Sequence, residues 1–140
     1  MSISAVLAPV FVQAALTFVL LYWMGYLRVT SIMRGETKIR DIALRQQNWP
    51  QRPTQVANAF HNQLELPILF YALVALALLT RKADFLFVVM AWLFVALRLL
   101  HAYIFVTSNR VTRRFQVFLA ASTILCLMWI VFAVRILIDA

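Results

Sequence analysis

The sequence predicts an all-α integral membrane protein, a bundle of four helices that each cross the bilayer. Residues of the set AVILMFWYC make up 64% of the 140-residue chain, far above the roughly 45–50% of an ordinary soluble domain. Four stretches, residues 5–27, 56–80, 85–106 and 115–138, reach the length of about 20 mostly apolar residues that a span requires. The basic residues gather at the ends of these stretches rather than along one polar face. One domain usually takes about 100–200 residues, so residues 1–140 read as a single membrane domain.

The first span has no Lys or Arg before Arg28 and is too long for the apolar core of a signal peptide, so it reads as a retained helix. Tyr22, Trp23 and Tyr26 suit an aromatic belt where this helix meets the interface. The connection of residues 28–55 carries Arg28, Arg34, Lys38, Arg40, Arg45 and Arg52 against Glu36 and Asp41. Within it, residues 38–47 are expected to hold a short helix with Ile39, Ile42 and Ala43 on one side. The connection between the third and fourth spans adds Arg110, Arg113 and Arg114. These two loops lie on one side of a four-span chain and hold nine of its thirteen basic residues, while Arg81, Lys82 and Arg135 lie on the other. The positive-inside rule then puts residues 28–55 and 107–114 in the cytoplasm and both termini outside.

A net charge of +8 raises the question of nucleic acid. Sorting of that charge by membrane side argues against it and for topology signalling and contact with anionic lipids. The single Cys126 allows no internal disulfide, and neither a metal-ligand spacing nor a Gly-rich phosphate loop is present.

The second span opens with polar residues. Asn58, Asn62 and Glu65 are four and three apart, which puts them on one helical face, with His61 one step round. Pro67 removes a backbone donor and predicts a kink beside Glu65. In the third span Arg98 and His101, three apart, share a face. At 1.5 Å per residue, Glu65 lies about 13 Å and Arg98 about 12 Å from the cytoplasmic ends of their spans. The two are therefore expected at one level, with Arg98 compensating the Glu65 charge. Arg28 at the end of the first span and Arg113 and Arg114 at the start of the fourth complete a funnel with a basic mouth. Such a funnel suits a small anionic ligand with carboxylates for the arginines and peptide-like groups for the amides.

The run HNQLELP in the second span, RLLH in the third and Arg114 thirteen positions after His101 resemble the MAPEG family, membrane-associated proteins in eicosanoid and glutathione metabolism, in a bacterial-type member. The resemblance implies a left-handed four-helix bundle assembled as a homotrimer, with glutathione bound between subunits. It assigns Arg28, Asn62, Glu65, Arg98, His101 and Arg114 to the glutathione site or its support, and His61 and Arg113 join them as candidate binding residues. Arg114 is the candidate catalytic residue, since a fixed cation beside a thiol lowers its pKa. The chain departs from the family pattern at several places. Family enzymes often carry arginine at the positions of Asn58 and His61, a proline four rather than two residues after the glutamate, hydroxyl residues at Phe115 and Phe118, and tyrosine at Phe105.

The expected function is therefore glutathione transferase- or peroxidase-like. The protein would sit in the bacterial inner membrane, bind glutathione or a related thiol, and act on a small lipophilic electrophile or peroxide arriving from the lipid. Two other classes compete: a small transporter subunit using Glu65, and a non-catalytic membrane or lipid-binding bundle. For the transporter, Arg98 at the same depth is unfavourable, because it would hold Glu65 ionised.

Overall fold

The computed structural model describes residues 1–44 and 48–138. The chain runs through α1 (Ile3–Met33), a 3-10 turn (Ile39–Ile42), α2 (Gln51–Asn62), α3 (Leu66–Leu79), α4 (Phe85–Val106) and α5 (Val111–Ile138). Among the described residues there is no strand. With α2 and α3 taken together as Gln51–Leu79, four helical segments are long and apolar enough to cross a membrane.

Local chemistry explains the ends of these elements. Ser2 caps α1, its hydroxyl accepting from the Ala5 amide at 3.3 Å. The helix stops at Gly35, whose φ of +75° is open to glycine at little cost. There the Gly35 amide donates to the Ile32 carbonyl and the Glu36 amide to the Ser31 carbonyl, each at 3.0 Å, the two bonds of a Schellman motif. A hydroxyl contact of 2.9 Å between Ser31 and Thr37 then folds the departing chain back on the helix. Only Ile39–Ile42 of the expected 38–47 helix is helical, as a 3-10 turn, and residues 45–47 lie outside the described residues.

The second span is broken, where a kinked single helix was expected. Helix α2 ends at Asn62, residues 63–65 form a turn, and α3 begins at Leu66 with Pro67 in its first turn. That place suits proline, because the amide it lacks would have had no helical partner there. The carbonyl of Asn62, left with only a long bond of 3.4 Å from the Glu65 amide, gains its shorter partner from another helix: Arg98 Nη2 of α4 donates to it at 3.0 Å. A cation at a helix C-terminus is favourable, and in hydrocarbon an unpaired carbonyl costs several kcal/mol.

Two apolar clusters fill the bundle. One joins α1, α3, α4 and α5 through Val6, Leu73, Ala91, Phe94, Leu125 and Met128. The other joins α1, α2 and α4 through Leu20, Met24, Val56, Ala59, Ala102 and Phe105. Buried Gln13, Gln63 and Arg98 form a polar layer linking α1, the α2–α3 turn and α4. Near its N-terminus α5 contributes nothing to the second cluster, so a hollow remains between α2, α4 and α5.

Candidate functional site

That hollow is a cavity of about 440 Å³. Asn58, His61 and Asn62 reach it from α2, Glu65 from the turn, His101 and Phe105 from α4, and Val111, Arg114, Phe115 and Phe118 from α5. Helical spacing explains the α2 set, since residues three and four apart share a face. A second hollow of about 320 Å³, lined by Trp49, Gln51, Thr54, Gln55, Asn58 and Asn109, meets the first at Asn58.

Five of the eight residues singled out from sequence line the larger cavity: His61, Asn62, Glu65, His101 and Arg114. Arg98 does not; it is fully buried behind Asn62. Arg28 lies outside the lining, its guanidinium 5.0 Å from the Trp49 ring centroid, where it holds the α1–α2 connection down. Arg113 is exposed and also outside the lining.

Asn62 occupies the place where a Glu65–Arg98 contact was expected. Arg98 Nη2 donates to Asn62 Oδ1 at 2.5 Å, and Asn62 Nδ2 donates to Glu65 Oε2 at 3.1 Å. Glu65 and Arg98 themselves form no direct ion pair. The amide therefore carries the interaction between carboxylate and guanidinium, and it leaves Glu65 exposed at the edge of the cavity. On the single chain Asn58 and His61 are exposed beside it.

Two contacts fix Arg114. Its Nη1 donates to Asn109 Oδ1, and its guanidinium stacks over the Phe105 ring, 4.1 Å from the centroid. Asn109 has a φ of +50°, a left-handed conformation that asparagine tolerates better than most residues. Its amide closes α4 by donating to the Ile104 carbonyl at 2.8 Å. The arginine is thus presented by the α4–α5 corner rather than by α5 alone. His101 is almost fully buried, with its ring 5.7 Å from that of Phe105 and 5.9 Å from that of Phe118. Its Nδ1 is buried with no protein partner.

The rim is braced from α2. Arg52 Nη1 donates to the Val106 carbonyl and Gln55 Nε2 to the Phe105 carbonyl at 2.7 Å, capping the C-terminal turn of α4. Arg52 also stacks 5.0 Å from the Trp23 ring centroid, which ties the brace to α1.

The cavity lining therefore combines amides, a carboxylate and a held cation with the rings of Phe105, Phe115 and Phe118, and the cation lies directly on the first of these rings. Sequence reasoning missed the roles of Gln13, Gln63 and Asn109. A lone glutamine in each apolar span was the available signal for the first two. For Asn109 no sequence signal stood out, because its role depends on the corner geometry.

Fold and cavity together define a class: a multi-pass membrane protein with a polar site set between its helices at one end. The chain belongs to the MAPEG family, whose family model matches residues 6–134 and so takes in every residue of the cavity. Among curated proteins and among solved structures nothing matches the chain.

Proposed function

We propose that the protein binds glutathione, or a closely related thiol, in the 440 Å³ cavity and directs its sulfur at a lipophilic electrophile or peroxide. Membership of a family of glutathione and eicosanoid metabolism supports this reading. The observation that carries it is one cavity lined both by polar groups, Glu65, Asn62 and Arg114, and by the rings of Phe105, Phe115 and Phe118, with the guanidinium of Arg114 lying on Phe105 where the two kinds of lining meet. A peptide thiol suits the polar groups and an apolar co-substrate the rings.

Each polar residue has a task that follows from its chemistry. Glu65 receives an ammonium group, and Asn58 and Asn62 pair with peptide groups. Arg114 supplies a guanidinium that Asn109 and Phe105 hold in place. Placed beside a thiol, it favours the thiolate, which is the nucleophilic form. When bound, glutathione supplies that thiol and the protein supplies the charge and the orientation. The three rings exclude water and give an apolar co-substrate a surface to bind.

A second copy of the chain, in a homotrimer, completes the site in this reading. Asn58, His61 and Glu65 are exposed on the single chain, and polar groups on a membrane span face a neighbouring helix or a wet cavity rather than lipid. The basic loops, residues 28–55 and 107–114, face the cytoplasm of a bacterial inner membrane, from which a soluble thiol enters.

Calorimetry on detergent-purified protein tests the proposal. Saturable glutathione binding is expected for the wild type and is lost in Arg114→Ala and in Glu65→Gln. Folded wild-type protein that takes up no glutathione at millimolar concentration would overturn it.

A further inference from the structure

Four hydrogen bonds run from α1 to the carboxylate at the cavity edge, and a fifth branches from them to α2. Gln13 Nε2 donates to Gln63 Oε1 at 3.0 Å. The same Gln63 oxygen accepts from Arg98 Nη2 at 3.4 Å, while Gln63 Nε2 donates to the Ala59 carbonyl at 3.1 Å. Arg98 Nη2 then reaches Asn62 Oδ1, and Asn62 Nδ2 reaches Glu65 Oε2. Gln13 and Gln63 are 0% and 1% exposed, and neither lines the cavity.

Arginine has donors and no acceptor, so it sets the sense of every amide in the chain. The Gln63 oxygen must face Arg98, which turns the Gln63 nitrogen toward Ala59 and leaves Gln13 to approach as a donor. In the same way the Asn62 oxygen must face Arg98, which turns the Asn62 nitrogen toward Glu65. A flipped amide at Gln63 or Asn62 would set donor against donor in a low-dielectric interior.

We infer that Gln13 and Gln63 are positioning residues, which fix Arg98 and through it the amide of Asn62 that presents Glu65 to the ligand. The inference rests on the thiol-binding reading for its ligand, though not for its geometry. Without the Gln13 donor, Gln63 loses its tie to α1, and Arg98 Nη2, shared among three acceptors, is free to shift away from Asn62. The ligand would then meet a carboxylate and an amide no longer held in one orientation.

Gln13→Leu and Gln63→Met remove the links, whereas Gln63→Glu keeps an oxygen for Gln13 and Arg98. Two readouts on protein in nanodiscs separate the outcomes: glutathione affinity, and the side-chain amide NMR signal of Asn62 without ligand, identified by its loss in Asn62→Ala. Gln13→Leu and Gln63→Met are expected to weaken binding by about three- to tenfold, the range of a single interhelical hydrogen bond, and to shift the Asn62 signal. Gln63→Glu is expected to stay within about threefold of wild type. An unshifted Asn62 signal with wild-type affinity in Gln13→Leu, even with a lowered melting temperature, would overturn the inference and leave Gln13 as a helix–helix contact. If the wild type itself binds no glutathione, the proposed function fails, and the Asn62 signal alone decides the relay. Should Gln13→Leu not fold, the pair Gln63→Met and Gln63→Glu makes the same comparison.

Discussion

Around Leu73, Ala91 and Leu125 the interior of the bundle holds only apolar side chains, whereas around Arg98 it holds two glutamines, a guanidinium and, one turn on, a histidine. The first region asks of each side chain only that it fill its space. In the second each group needs a partner of opposite hydrogen-bonding character, and removing one orphans another. The apolar region is therefore tolerant and the polar one brittle, although both are buried. A membrane protein accepts such brittleness where a site must be held, because lipid competes with neither kind of packing but cannot substitute for a lost hydrogen bond.

The strongest way to break this comparison is one shape-preserving change in each region. Arg98→Met is expected to cost about 1–3 kcal/mol by leaving the Asn62 amide oxygen without its donor and the Asn62 carbonyl with only the long Glu65 amide bond. Leu125→Met, a volume-conserving swap in the apolar region, is expected to cost less than about 1.5 kcal/mol. Denaturant titration of both variants in the same detergent checks the difference. Equal losses would show that the polar layer is no more demanding than the apolar core.

Asn62→Ala sharpens the same contrast by cutting the link between guanidinium and carboxylate. A loss of about 1–2 kcal/mol is expected in the same titration, with the helical signal retained.

Gly35→Ala follows, probing the polar end through its backbone alone. Nothing lies within 4 Å of the added methyl group, so the expected cost of about 1–2 kcal/mol comes from the φ of +75°. Thermal unfolding would register it as a lowered midpoint.

The smallest effect belongs to the opposite end. Asp84 caps α4 through the Phe87 amide at 2.9 Å and pairs with Arg135 at 2.7 Å. The hydrogen bond from Arg135 holds the Asp84 carboxyl below its ordinary value of 3.8. A carboxyl whose pKa is depressed by folding stabilises the protein above its unfolded pKa, and that contribution is lost as pH falls through the folded one. Both side chains are substantially exposed, so Asp84→Asn should cost at most about 1 kcal/mol at pH 7, less in high salt, and nothing once the pH has fallen below the depressed folded pKa of Asp84. Unfolding of wild type and variant across that range would test the sign as well as the size.

Much of the architecture was legible because its causes are local. Twenty-odd apolar residues make a span wherever they occur, and the 3.6-residue period put Asn58 and Asn62 on one face without reference to the rest of the chain, whereas Glu65 joins them from the turn beyond the helix rather than from its face. What escaped depends on partners distant in sequence. Pro67 signalled a disturbance, but the complete break before it is stabilised by Arg98, thirty-six positions after Asn62. Arg28 looked like part of the mouth because it ends the first span, yet Trp49 captures it after a connection whose path no periodicity encodes. Gln13 is a polar residue in an apolar span and passed without notice, because nothing near it in sequence names Gln63 as its partner.

The turn at residues 63–65 has one more effect. In an unbroken helix every side chain is tied in direction to every other by a rotation of about 100° per residue, so the face turned to a ligand dictates the face turned to lipid two turns later. Here that phase is reset in mid-span, and α2 and α3 each take the azimuth their own neighbours require. The half that lines the cavity is thereby free to vary in sequence without rotating the half beyond the turn.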